Sequence, residues 1–234
     1  WLIAQTGWQN ALFVLGAAAL GILPLALGLK EPRIVALVAH EQSVAAALRE
    51  AFGNPSFRLL TAGYFVCGFH LLFIGVHMPS YLKDQGLDPN VATTALALIG
   101  LFNVFGSYAA GVLCSRFPKR YILAAIYSLR SVAIVAFVAL PLTPWSVYLF
   151  ASAMGLLWLS TVPPTNAAVA QIFGVAHFSM LGGFVFFSHQ IGSFMGVWLG
   201  GVLYDQTGSY DIVWYISIAL GVFAALINLP VRES

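Results

Sequence analysis

Charge is what this sequence has least of. Aspartate, glutamate, lysine and arginine make up 8% of its 234 residues, against about a quarter of a typical globular chain, which excludes an ordinary soluble domain. The few charges nearly cancel at +2 and the basic residues are scattered, so there is no electrostatic footprint for nucleic acid. No acidic residue falls inside an apolar run and no HExxH pattern occurs. Although His70, His77 and His189 lie within such runs, the chain lacks the carboxylates and spacing of a metal site, and neither a metal nor a cofactor is expected. Cysteine is equally sparse. Cys67 and Cys114 are the two present, both within apolar stretches, which argues against an extracellular disulfide framework.

What is there is apolar. Hydrophobic residues reach 60% and the mean hydropathy is +0.90. Hydropathy and helix breakers divide the chain into seven candidate spans near 8–29, 57–82, 90–115, 120–141, 145–171, 178–204 and 211–230. Each is about long enough to cross a ~30 Å hydrocarbon core at ~1.5 Å per residue. Asp88 before Pro89, and Thr143 before Pro144, offer a capping side chain followed by proline at the first helical position. The runs lack the alternating polarity of barrel strands, so the expected fold is all-α, a polytopic membrane protein with seven transmembrane helices.

The basic residues give an orientation. Lys30, Arg33, Arg49 and Arg58 follow the first span, Arg116, Lys119 and Arg120 share a later turn, and Arg232 lies in the tail. These segments alternate with connections that hold Lys83 as their one basic residue, and Asp84, Asp88, Asp205 and Asp211 sit on that second side. The positive-inside rule then puts the basic turns and the C-terminus in the cytoplasm. Within the connection after the first span, Val44, Leu48 and Phe52 recur at helical spacing among polar residues, which predicts an amphipathic interfacial helix. Three segments follow: residues 1–29, the last transmembrane helix of an N-terminal bundle; 30–56, a cytoplasmic linker; and 57–234, a six-helix bundle. Without an initiator methionine or a signal peptide, the chain reads as the end of a longer one.

Counting from the span starts puts His70, Asn103, Trp158 and His189 roughly 16–21 Å deep, near the middle of the membrane. Four spans thus bring polar or amphipathic groups to one level, where secondary transporters bind solute. His70, Asn103, Trp158, His189 and the adjoining Gln190 are therefore the expected substrate pathway, with interhelical packing as the competing role. His77, on the same face as His70 but near the outer end, is a candidate outer-gate contact. Arg130 is the one full charge expected at mid-membrane. Pro163 and Pro164 remove amide donors from the neighbouring span, and Arg130 is expected to satisfy carbonyls freed there, a structural role. Gly192, Gly196 and Gly200, spaced by four, form a smooth helix face.

The turn GVLCSRFPKR, residues 111–120, resembles the cytoplasmic loop motif of the major facilitator superfamily. Gly111, Arg116, Lys119 and Arg120 match it, whereas Ser115 stands where an aspartate is expected. The phrases GFHLLFIGVHMPSYL and FSHQIGSFMGVWLGGVLYDQTGSYD are similar to bacterial monocarboxylate-transporter-like members. The resemblance implies helices six to twelve of a twelve-helix carrier in the bacterial inner membrane, with lipid, a small-molecule substrate and the missing N-terminal helices as its partners. It also implies a cavity lined by the second, third, fifth and sixth spans and braced by the others. By this alignment Ser107 replaces an arginine that would meet a substrate carboxylate. The expected function is secondary transport of a small organic solute, an organic anion such as a carboxylate, by alternating access. A carrier of neutral or cationic solutes and a seven-helix receptor are the alternatives. Ser115–Arg116 and LINLPVRES lack the receptor's acid–arginine pair and NPxxY-like break, and no nucleophile and base share a depth as an intramembrane enzyme would need.

Overall fold

The apolar runs fold as helices because lipid leaves no other partner for their backbone groups. The computed structural model describes residues 2–21, 43–174 and 177–233, and among these there is no strand. The helices are α1 (Leu2–Leu20), α2 (Val44–Gly53), α3 (Pro55–Asp84), α4 (Pro89–Cys114), α5 (Lys119–Ala139), α6 (Pro144–Leu157), α7 (Val162–Phe173), α8 (Phe178–Thr207) and α9 (Asp211–Asn228). Six stretches are long and apolar enough to cross a membrane: α3, α4, α5, α6 with α7 counted as one, α8 and α9. The predicted span 8–29 coincides with α1 as far as Leu20, and its remainder lies outside the described residues, as does most of the linker. The chain divides into a unit Trp1–Glu41, which holds α1, and a unit Gln42–Ser234, which holds everything else.

The predicted caps have the expected chemistry. Asp88 accepts a hydrogen bond from the Asn90 amide at 2.8 Å, with Pro89 at the start of α4. Thr143 and Ser146 form a reciprocal capping box that opens α6. Thr143→Ala is therefore expected to cost about 1 kcal/mol of stability, read as a lowered Tm in detergent. An unchanged Tm would mean that neighbouring helices, rather than the cap, fix this end.

The helix expected within the linker is α2: Ala47 and Ala51 are buried, Leu48 packs against the apolar cluster around Phe57, Phe52 lies edge-on to Phe57 and Phe184, and Val44 is exposed. One expectation needs correction. The span expected over 145–171 is not one helix. It breaks at residues 158–161, where Ser160 and Thr161 precede Pro163 and Pro164, because two successive prolines donate no amide hydrogen to the turn before them.

Packing pairs each of the first three spans with one of the last three: α3 with α8, α4 with α6, and α5 with α9. Glycines set the closest approaches. A Cβ on Gly192 would strike the Phe65 carbonyl, one on Gly196 would lie 2.5 Å from the Phe69 carbonyl oxygen, and one on Gly68 would strike the His189 carbonyl. The α3–α8 seam is thus backbone against backbone, a common way for membrane helices to gain dispersion contacts. Two apolar clusters flank the mid-level. One centres on Phe73, Met78, Phe137, Phe150 and Trp214, with the Phe137 and Phe150 rings stacked 4.0 Å apart. The other, toward the basic end, centres on Phe57, Leu60, Tyr127, Val169 and Leu181. Half-buried Trp158 packs against both, and His70, Arg130, Thr161, His189 and Ser217 are buried.

Candidate functional site

The break between α6 and α7 organises the polar groups around it. Leaving the α-helix at residue 158 opens carbonyls that a continuous helix would use. Trp158 and Val162 instead donate in tighter turns to Gly155 and Leu159, at 3.1 and 2.9 Å. That leaves the carbonyls of Leu157 and Trp158. Arg130, fully buried on α5, takes both: Nε donates to the Leu157 oxygen at 3.1 Å, and Nη2 to the Leu157 and Trp158 oxygens at 2.5 Å each. Its guanidinium also lies 5.5 Å from the centre of the Tyr127 ring. Tyr127 in turn donates to the Gly63 carbonyl at 2.6 Å.

Side chains from two further helices reach the same break. Asn103 on α4 accepts the Leu159 amide at 3.0 Å through Oδ1, which also accepts the Ser107 hydroxyl at 3.2 Å. From α3, the Cys67 sulfur lies 3.1 Å from the Thr161 hydroxyl. The next residue along α3, Gly68, abuts the His189 backbone. The His189 ring is buried, stacked on Phe186 at 5.5 Å and tilted over Tyr64 at 5.2 Å. Its Nδ1 is 3.4 Å from both Ser193 Oγ and Gln190 Oε1. Gln190 itself is exposed on α8, Asn103 and Trp158 are half-buried, and Asn166, just past the break, is exposed. The Asn103 amide and the half-buried Trp158 ring therefore sit at a broken helix at mid-span.

His70 belongs to a different neighbourhood. Its ring is fully buried and Nε2 is 2.8 Å from the Ser217 carbonyl of α9, so Nε2 carries the proton, since a carbonyl can only accept. His70 and Ser131 both abut Gly221 on α9. His77 is half-buried, with Nε2 2.9 Å from the Val197 carbonyl of α8; its ring covers Gly200 and lies 5.3 Å from Tyr210. In the basic turn Gly111 and Arg116 are exposed, while Lys119 and Arg120 are half-buried against the C-terminal tail. Among the described residues no group of three or more histidine, cysteine or acidic side chains could hold a metal.

Sequence reasoning missed the break itself and, with it, Cys67 and Thr161. The signal was present in LSTVPPTN, where two prolines follow two small hydroxyl residues.

Comparison with known proteins gives this geometry a context. The family model of the Major Facilitator Superfamily matches residues 1–173. The chain is 25% identical, over 96% of its length, to an uncharacterized MFS-type transporter, YcxA, of Bacillus subtilis (strain 168), covering 57% of that protein. It is also 25% identical, over 98% of its length, to monocarboxylate transporter 13 of Bos taurus, covering 54% of it. With monocarboxylate transporter 11 of Mus musculus it shares 24% identity, over 90% of this chain and 49% of that one. The chain spans about half the length of these curated relatives.

Proposed function

Since the chain belongs to the Major Facilitator Superfamily, a family of membrane transporters, we propose that its protein carries a small organic anion, a carboxylate, by alternating access across the bacterial inner membrane. In this reading residues 1–29 are the last helix of an N-terminal bundle, 57–234 form the C-terminal bundle, and the missing N-terminal helices close the cavity. The basic end faces the cytoplasm, as the positive-inside rule requires.

The observation that carries the reading is the broken span. Discontinuous helices at mid-membrane are where secondary transporters expose backbone and amide groups to a solute. Here Arg130 and Asn103 satisfy the backbone at the break, and Asn103 Nδ2 is left to donate to a solute together with exposed Gln190. Trp158 supplies an apolar wall and His189 lies directly behind Gln190. The carboxylate preference draws on the names of the mammalian relatives and on spans that hold histidine and arginine but no acid at mid-depth. By the same reading His70, with its ring closed off against α9, braces the bundle, and His77 holds the outer end of the α3–α8 seam.

The test is uptake by proteoliposomes of the full-length protein, with radiolabelled small carboxylates and with or without a pH gradient. Asn103→Leu and Gln190→Leu should each lower uptake by about tenfold or more, since a hydrogen bond to a charged group contributes ~1.5–3 kcal/mol. His70→Ala should lower stability more than it lowers uptake per folded molecule. Uptake untouched by either amide substitution would remove the site, and transport of neutral or cationic solutes alone would remove the carboxylate.

A further inference from the structure

The turn between α4 and α5 carries Arg116, Lys119 and Arg120 and no acid, Ser115 standing at its one expected acidic position. Three cations this close repel one another, and Pro118, the residue at the N-cap of α5, offers no side-chain cap for the first amides of the helix. Both deficits are met from elsewhere in the chain. Glu233, at the end of the described tail, accepts the Arg120 backbone amide through Oε1 at 2.8 Å. Its other oxygen lies 3.6 Å from Lys119 Nζ, with the Lys119 and Glu233 side chains 18% and 11% exposed. Lys119 Nζ also donates to Gln171 Oε1 near the end of α7, at 2.9 Å. The tail is fastened just before this contact: Val231 is fully buried, and the Arg232 amide donates to buried Ser56 at the start of α3 at 2.9 Å.

We propose that Glu233 is a positioning residue of the transport cycle, a latch that ties the basic ends of α5 and α7 through Lys119 while the tail is held on α3. The inference rests on the alternating-access reading above. A carboxylate at a helix N-terminus meets both the unpaired amides and the positive end of the helix dipole. Because α7 is severed from α6 at residues 158–161, its basic end depends on its own contacts: Val169 and Phe173 pack against the cluster around Phe57, and Gln171 joins it to the Lys119–Glu233 pair. Releasing that pair frees α7 and opens the basic end, and re-forming it closes that end.

Cys114, the half-buried last residue of α4, lies within electrostatic reach of both Lys119 and Glu233 and can report on the latch. The experiment uses the full-length protein in proteoliposomes, with Cys114 as its one cysteine, no solute present, and a membrane-impermeant maleimide. Glu233→Gln and Lys119→Met should each speed labelling by about fivefold, the effect of losing a partly buried ion pair, and the double substitution should be no faster than either. If only the local field at the thiol matters, the two substitutions act in opposite directions, because one removes an anion and the other a cation. That outcome, or unchanged labelling in both, overturns the latch. Labelling needs no solute, so failure of the carboxylate assignment would leave this result readable, and failure of the latch would leave the uptake result standing.

Discussion

Arg130→Met should destabilise the protein by about 3–5 kcal/mol, the cost usual for removing one partner of a buried charged network, and should abolish most uptake along with the folded population. The reasoning is local. Methionine fills the volume but offers no donor, so the Leu157 and Trp158 carbonyls, which Arg130 now satisfies, lose their side-chain donor inside the bundle. Each unpaired buried acceptor costs ~1–3 kcal/mol. Arg130→Lys separates charge from geometry. It keeps the cation but replaces a planar fork spanning two carbonyls with a point donor, so it should recover only part of the loss. Thermal unfolding of the full-length protein in detergent reads both. A methionine variant as stable as the parent would show that the break tolerates open carbonyls, and the bracing role of Arg130 would fall.

Gly192→Val should cost about 3 kcal/mol or more by the same measurement. A Cβ at this position collides with the Phe65 carbonyl and comes within 3.1 Å of the Phe69 amide nitrogen. Both obstacles are backbone, which cannot swing aside as a flexible side chain would, so α3 and α8 must separate along their whole seam. Gly183→Ala is the matched control on the same helix. Nothing lies within 4 Å of a Cβ there, and alanine should stabilise the helix by up to ~1 kcal/mol. If the two substitutions behaved alike, helix propensity would explain both and the close seam would not be what holds α8.

Individual residues show how far the sequence could be read. The capping pairs at Asp88 and Thr143 were legible because capping is a local event, settled within four residues. The burial of Arg130 and its debt to the proline pair were legible in outline, since a charge at mid-membrane must find acceptors and two prolines create them. Which carbonyls it meets was not. Counting four residues back from Pro163 and Pro164 points to Leu159 and Ser160, but the chain tightens at the break, the Leu159 carbonyl is taken by Val162, and the open pair moves to Leu157 and Trp158. The histidines divide in the same way. Depth along a helix follows from residue counting, so His70 and His189 were both placed near mid-membrane. The direction each ring takes depends on the neighbouring helix, and only His189 adjoins an exposed amide while His70 closes on α9.

The sequence by itself therefore determined that this chain is helical, that its apolar runs are long enough to cross a membrane, near which residues the six stretches from Pro55 onward start, and which of their ends is basic. Those properties follow from transfer free energy and backbone hydrogen bonding, which act over a few consecutive residues. The tertiary structure alone decided that Cys67, Asn103, Arg130 and Thr161 meet at one broken span, and that Glu233 answers the cations of a turn more than a hundred positions earlier. Such contacts depend on which helices pack together and how they are rotated, and no local property of the chain encodes either.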